Sequence, residues 1–555
     1  MLLSFASPKA MRYPLLTALF LALAAISPFA QQTACTVRGK VVDAITRQPI
    51  ARALVQLGDD ATLTDANGKF EFTGIRTEEA TILVRRPGYV SNNQNDLAPS
   101  QDQISSYFVA FTPSMAPLEF LLTPEAILIG QITLLNSGTA AGVQVSVYRK
   151  AVENGRQIWK INGIATTNGE GVFRVANLAA GTYLLYAQPP ANPFNVISNK
   201  VLGFASAYFP GVTDASGAGL IILASGEHKE VDMTLPRRAF YSVNIRIANA
   251  EPGNLVSLDV QDASGRRVNT GTNYDFPKQT ARMDLPDGRY VLNVHMLNLV
   301  GSRQSQSLGH AEFSVSGRPT YLSVSILPMQ SIPITIRKEF TTSDTGAPVR
   351  LARSGPNNPG INLTFVPADA DFPGTVFGDR IEPVPGSNDG TSYQIKGIPP
   401  GKYWVNADTF EGYISSITSG GDDLSRNPLT IDAGGSSVPI EIVLRNDTGS
   451  LDGAISMSPN SIGGQMPHAW IYAIPLFSIV SQLPSTVSSS AGRFTFDHLP
   501  PGSYRVLACD SPQVIEFHTS AGIAAWEGRG QVVTIHPGSA DHIQLDLTQT
   551  AERSQ

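Results

Sequence analysis

Four times along this chain an apolar residue runs into a short Pro/Gly-rich turn and then into Gly-x-Tyr at the head of a new apolar stretch. The copies are Leu178-Ala179-Ala180-Gly181-Thr182-Tyr183, Leu285-Pro286-Asp287-Gly288-Arg289-Tyr290, Ile398-Pro399-Pro400-Gly401-Lys402-Tyr403 and Leu499-Pro500-Pro501-Gly502-Ser503-Tyr504. Such a segment turns sharply, because Pro presets a negative φ and Gly accepts a positive one. The residues on either side alternate apolar and polar, as half-buried strands do. The copies recur about every 100–110 residues, the size of a domain and not of a solenoid turn. A tyrosine just past a corner of this kind can bury its ring while its hydroxyl reaches the backbone. Tyr183, Tyr290, Tyr403 and Tyr504 are therefore expected to be structural corner residues.

A chain of 555 residues exceeds what one core supports. It carries 49 Gly and 39 Pro, only 15% charged residues, and few runs with helical period. That profile belongs to many short strands joined by turns. The net charge of −6 leaves no basic stripe for nucleic acid, so a nucleic-acid partner is excluded.

Lys9 and Arg12 precede an apolar stretch from Leu15 to Ile26, followed by Ser27-Pro28-Phe29-Ala30-Gln31. This is the layout of a secretory signal over residues 1–30, cleaved between Ala30 and Gln31, with Met11 an alternative start. The apolar run is short for a membrane span and no second candidate follows, so the mature chain is expected to be extracytoplasmic: secreted, periplasmic, or at the cell surface or outer membrane. Two cysteines remain. Cys35 is read as a packed thiol, with lipidation the alternative. Cys509 lies in the strand pattern Arg505-Val506-Leu507-Ala508-Cys509 and is expected to be buried.

The first domain opens with Val37-x-Gly39-x-Val41-x-Asp43. It continues with Pro49-Ile50-x-x-Ala53-x-Val55 and Thr64-Asp65-x-x-Gly68-x-Phe70-x-Phe72, and closes on Arg86-Pro87-Gly88-Tyr89. Over about residues 35–90 this pattern resembles the carboxypeptidase regulatory-like domain. The resemblance implies a seven-stranded, transthyretin-like β-sandwich that is non-catalytic and belongs among the carbohydrate-binding-like folds. The fold expected for the whole is thus all-β, a tandem array of about five transthyretin/immunoglobulin-like sandwiches after the signal. Their bounds are 33–124, 125–238, 239–329, 330–447 and 448–549, with 550–555 a polar tail. The second and fifth repeat the regulatory-like grammar, and the segment Tyr208-Phe209-Pro210-Gly211 is similar to exported multi-domain bacterial proteins of this kind. The third is diverged and lacks the opening Gly. In the fourth, Arg350 to Asn362 and Gly412 to Asn427 are rich in Gly, Ser, Asn and Asp and are expected as surface loops. Linkers of a few residues favour an extended, semi-rigid rod.

No His-Glu-x-x-His, Gly-x-Ser-x-Gly, phosphate loop or dinucleotide fingerprint occurs, and the eight histidines are scattered. No catalytic residue, metal site or cofactor is expected. Asp65, Asn67, Asp369 and Asp371 offer oxygens, but a hairpin turn explains the first pair better than calcium does, and Asp422-Asp423 reads as a solvated pair. Aromatic rings are the remaining candidates. Trp159, in a polar hairpin, is the better candidate for an exposed ring that stacks on sugar. Trp470 and Tyr472 share one strand face with His468; either that face is exposed and binds, or it is the sandwich core with Ile471 outward. Trp404 and Trp526 could equally seal domain junctions.

The reading is an exported, non-enzymatic structural or binding protein at the cell surface, with a polysaccharide or another surface protein as partner. Sugar binding enters by analogy of fold, adhesion through edge strands. The alternative is an accessory chain to a metallocarboxypeptidase or to a TonB-dependent outer-membrane transporter.

Overall fold

The computed structural model describes residues 35–77, 79–90, 104–111, 115–135, 138–190, 195–197, 200–250, 254–297, 306–328, 331–341, 360–368, 372, 377–378, 381–387, 390–432, 438–456, 469–479, 482–489, 491–510 and 513–548. The signal, the polar tail, His468, Asp369 and Asp371 lie outside them. The fold is 62% strand and 2% helix, which bears out the all-β expectation. The chain divides into two compact units, residues 1–93 with 101–124, and residues 94–100 with 125–555.

One connection scheme recurs five times. An opening strand pairs antiparallel with the strand that leaves a hairpin, and parallel with the last strand of its own sandwich. In the first unit the opening strand is Cys35–Asp43, flanked by Lys69–Ile75 and Leu118–Pro124. In the second unit the openers are Ala126–Leu134, Arg237–Ala248, Ile332–Glu339 and Gly449–Ser456. Each pairs parallel with a closing strand: Met233–Leu235, Thr320–Ser325, Ile440–Arg445 and Ala540–Thr548. A second sheet packs on each first one around its own apolar core.

The repeated corner carries the chain from one sheet to the other. Val172–Leu178, Thr280–Pro286, Ser392–Ile395 and Arg493–Leu499 end at it; Gly181–Gln188, Gly288–Leu297, Gly401–Thr409 and Gly502–Cys509 start from it. All four tyrosines are buried. Tyr183, Tyr290 and Tyr504 each donate a hydrogen bond to the carbonyl four residues back, on Ala179, Pro286 and Pro500, at 2.5, 3.0 and 2.7 Å. The glycine two residues before the ring leaves it room. A Cβ built on Gly288 or Gly401 would sit 3.0 or 3.2 Å from the tyrosine hydroxyl.

The hairpins share a polar nucleus. Asp65 Oδ1 accepts from the amides of Asn67 and Lys69, and Asn168 Oδ1 from those of Glu170 and Val172. Asp65 is therefore occupied as a turn residue. In the second sandwich it is Gly171, at φ 79°, that takes the left-handed turn position, not Gly169. Just before each turn a buried hydroxyl ties down a crossing segment. Thr64 Oγ donates to the Ile50 carbonyl and accepts from the Ala53 amide, and Thr167 does the same with Ala140 and Val143. A hydroxyl serves there because a buried backbone amide or carbonyl must find a partner.

The opening glycine faces the hairpin's phenylalanine: Gly39 opposite Phe70, Gly130 opposite Phe173, Gly453 opposite Phe494. A Cβ on Gly453 would lie 2.5 Å from the Phe494 ring and from the Ile543 carbonyl. The same register places Ile245 opposite Ala281 in the third sandwich, and Ile334 opposite Tyr393 in the fourth. The third has not lost the device; it has moved the bulk from the hairpin strand to the opener.

Two expectations are corrected. Residues 412–427 are not simply a surface loop: Tyr413–Ser419 is a strand paired with Ile440–Arg445, and it buries Ile417. Within the second unit, contacts also run between sandwiches that are not neighbours in sequence, unlike those of a strung array. Lys200–Phe204, from the second sandwich's stretch of chain, pairs with the opener of the third, and the second also reaches the fourth and fifth.

Gly453→Ala should push the Phe494 ring out of place and cost about 1–3 kcal/mol. Hydrogen exchange across Gly449–Ser456 checks this; protection should fall there, and unchanged protection would show that the ring has space to move.

Candidate functional site

The hairpin of Gln144–Glu153 and Arg156–Thr166 turns at Asn154 and Gly155, both at positive φ as a two-residue turn requires. The Gly155 carbonyl accepts from the His518 amide of the fifth sandwich at 3.1 Å. A Cβ on Gly155 would meet the His518 and Phe517 rings at 2.5 and 2.8 Å, so only glycine fits at this tip. The next residue, Arg156, lays its guanidinium 3.4 Å from the centre of the Trp404 ring in the fourth sandwich. Burial together with the neighbouring Arg156 cation lowers the His518 pKa to about 4, and burial lowers that of Arg156 while Glu516 acts to raise it. Trp404 thus seals a junction. Trp526 is half-buried against the fifth sandwich's own Tyr472, Ile515 and Phe517 cluster, its ring centre 5.4 Å from the Arg529 guanidinium.

A second junction gathers around Arg266. Its side chain is 9% exposed and bonds Asp262 at 2.6 Å. The guanidinium lies 3.1 Å from the Tyr186 ring centre and 4.5 Å from that of Tyr208, both in the second sandwich, and 5.8 Å from that of Phe372 in the fourth. Its Nε and Nη1 have no hydrogen-bond partner among the described residues. The ring faces supply the electrostatic compensation instead, as cation–π contact does when water is excluded. Tyr186 is pushed up to about 12, chiefly by burial, with Arg266 acting against the shift.

The sequence-proposed aromatics are built into these contacts. Trp159 is half-buried and packs on the cluster of Leu184, Tyr186, Tyr208 and Phe372. Tyr472 is buried, and its hydroxyl accepts from the Gln513 amide at 2.8 Å. Trp470 is half-buried beside it. Ile471 belongs to the sandwich core, while Trp470 and Tyr472 pack on the other face with Ile515 and Phe517. The structure departs from both readings of this strand: neither face is open, and the rings are on the side away from the sandwich core.

An open face lies instead on the third sandwich. Arg237–Ala248, Thr280–Pro286 and Thr320–Ser325 point Val243, Ile245, Ala281, Met283 and Val324 into the core. The alternate residues line a groove of about 910 Å³. Arg282, Asn244 and Tyr321 stand opposite one another across three strands. Tyr321 is 78% exposed. Ser242 links two charges: it donates to Asp284 at 2.9 Å and accepts from Arg282 at 2.9 Å. Arg246 has no partner among the described residues. The signal for this site is present in Tyr321-Leu322-Ser323-Val324-Ser325, whose alternation puts Tyr321 on the polar face.

Among the described residues no group of three or more His, Cys, Asp or Glu is placed to hold a metal ion, and no helix is long and apolar enough to cross a membrane. His542 pairs with Asp452 at 2.7 Å and His310 with Asn293 at 2.9 Å. Burial, with Asp510 adding to it, pushes the Cys509 thiol up to about 11.

Residues 36–111 match the carboxypeptidase regulatory-like domain family, as the opening motif led us to expect. The second and fifth sandwiches share its pairing of an opening glycine with the hairpin phenylalanine but lie outside the match. No curated protein matches the chain. Among solved structures, a streptococcal ancillary pilin is similar at 11% identity over 55% of this chain and 98% of that one, with a TM-score of 0.19. The minor pilin GBS52 of Streptococcus agalactiae shows 15% identity over 36% and 95%, TM-score 0.19. The major pilin subunit BcpA of Bacillus cereus shows 11% over 76% and 99%, TM-score 0.14. Scores this low carry no argument.

Two measurements test the junctions. His518 is neutral in both states above its ordinary pKa near 6.5. Between about 6.5 and 4 only the unfolded chain takes up the proton, so stability falls as pH falls through that window. The loss is on the order of 2 kcal/mol once the ring's part exposure is allowed for; His518→Phe should remove this step from thermal melts recorded at pH 7 and pH 4. Arg266→Ala strands the Asp262 carboxylate and should cost about 3 kcal/mol. Arg266→Lys should recover little of it, because the ammonium cannot stack; full recovery by lysine in urea melts would assign the effect to charge alone.

Proposed function

We propose that the chain is an exported, non-catalytic structural and binding protein of the cell surface, and that it takes carbohydrate on the open face of its third sandwich. Export follows from the signal pattern over residues 1–30. The non-catalytic reading is supported by how the reactive groups are used. The Cys509 thiol carries little thiolate at neutral pH, and His518, His310 and His542 are engaged in packing or pairing.

The observation that carries the binding role is Tyr321. A ring 78% exposed at one end of the polar row across this groove has no structural task there. A flat aromatic face flanked by hydrogen-bonding side chains suits a sugar ring, which offers one apolar face and a rim of hydroxyls. Trp159, Trp470 and Tyr472 are assigned instead to packing, and the corner tyrosines to fold closure. A structural role is supported independently by the Arg266 and Arg156 junctions, which tie successive and non-successive sandwiches together.

Retention on immobilised polysaccharides checks the proposal. Wild-type chain should be retained by some of a broad panel, and Tyr321→Ala should lose retention with its melting temperature unchanged. If no polysaccharide retains the wild type, the binding role is wrong and a structural role is what remains.

A further inference from the structure

The groove's charge pattern narrows the ligand further, on the premise that it binds sugar at all. We infer that it takes an extended, uncharged glycan, lying across the strands along the row Arg282–Asn244–Tyr321.

The lining holds two cations, Arg246 and Arg282, and two carboxylates, Asp284 and Asp275, the latter paired with Lys278 at 2.8 Å. Arginine only donates hydrogen bonds, an ionised carboxylate only accepts them, and asparagine does both. A sugar hydroxyl also does both, so adjacent hydroxyls can be held by an Arg–Asp pair with every polar group satisfied. Ser242 already fixes Arg282 and Asp284 side by side, which spares the ligand the entropy of ordering them. An acidic glycan would bring carboxylates close to Asp284 and Asp275, and like charges brought together reject a ligand. A predominantly apolar ligand would cover Arg246 without giving it a partner and strip water from the Arg282–Asp284 pair.

The row is in register. Arg282 faces Asn244, and Asn244 faces Tyr321. At about 4.8 Å between strands, the three positions span roughly 10 Å, more than one sugar ring occupies. Tyr321 stands at one end of that row, where a ring can stack while the rest of the chain lies over the polar positions.

Calorimetric titration of the full mature chain tests this with two matched series of oligosaccharides, one of neutral hexoses and one of uronic acids. A neutral series should bind at least about tenfold tighter than its uronate counterpart. Its affinity should change less than about twofold as salt is raised, because no net charge is neutralised. Tyr321→Ala should weaken it about tenfold, and Asp284→Asn should weaken it several-fold while narrowing the gap to the uronate. Tighter, salt-sensitive binding of uronates would overturn this inference and leave sugar binding at the groove standing. Binding of neither series, with wild-type chain also failing on the wider panel of polysaccharides, would sink the premise itself. Neutral binding that Tyr321→Ala leaves untouched would place the site elsewhere and overturn both.

Discussion

In four of the five sandwiches the opener and the hairpin strand divide one volume between them. At three positions the opener gives up its side chain and a phenylalanine fills the space: Gly39 with Phe70, Gly130 with Phe173, Gly453 with Phe494. The constraint is the parallel closing strand, whose carbonyl stands 2.5 Å from where a Cβ on Gly39 or Gly453 would be. In the third sandwich Ile245 and Ala281 meet the same volume in the reverse order. In the fourth, Ile334 and Tyr393 are both large, and the Tyr393 hydroxyl reaches out to the Gly390 carbonyl at 3.3 Å. Close packing makes the sum of the two volumes what matters, while the residue at either position can vary.

That distinction marks how much was legible in the sequence. The corners were readable because their cause is local: Pro, Gly and Tyr within a few residues dictate the turn and the buried ring. The hairpin at Asp65 was readable for the same reason. The missing opening Gly of the third sandwich looked like divergence, because Ala281 lies over thirty residues away and only the register pairs it with Ile245. Tyr413–Ser419 was hidden differently. Its pairing with Ile440–Arg445 shifts register between Ile414 and Ser416, so a bulge breaks the alternation by which a strand is recognised.

Of the junction residues only Trp404 was offered by the sequence as a seal. Arg266, in Ser264-Gly265-Arg266-Arg267, reads as a solvated turn residue, and nothing nearby in sequence announces Tyr186 or Phe372. Its burial is a consequence of how three sandwiches meet. Trp159 was misjudged for the converse reason: a polar hairpin suggests an exposed ring, but this hairpin is long enough to carry its tip to the fifth sandwich, and the ring is covered on the way. Once sandwiches are linked by one to three residues, their mutual contacts recruit side chains that a domain-by-domain reading assigns to solvent.

The same contacts bear on what the open face can do. The third sandwich's first sheet is widened on one side by Asn195–Ile197 and Lys200–Phe204, from the second sandwich's stretch of chain, and on the other by Asn273–Asp275. Backbone pairing therefore holds the platform that carries Arg282, Asn244 and Tyr321, and Arg266 holds the body behind it to its neighbours. Ligands bound by a few hydrogen bonds and one stacked ring gain little per contact, so any ordering cost at the site would consume much of that gain. Side chains carried on paired strands meet that cost during folding, before a ligand arrives. The aromatic and cationic residues spent on the junctions and the exposed Tyr321 are in this sense one design: the buried rings make the scaffold stiff enough for the Tyr321 ring to be useful.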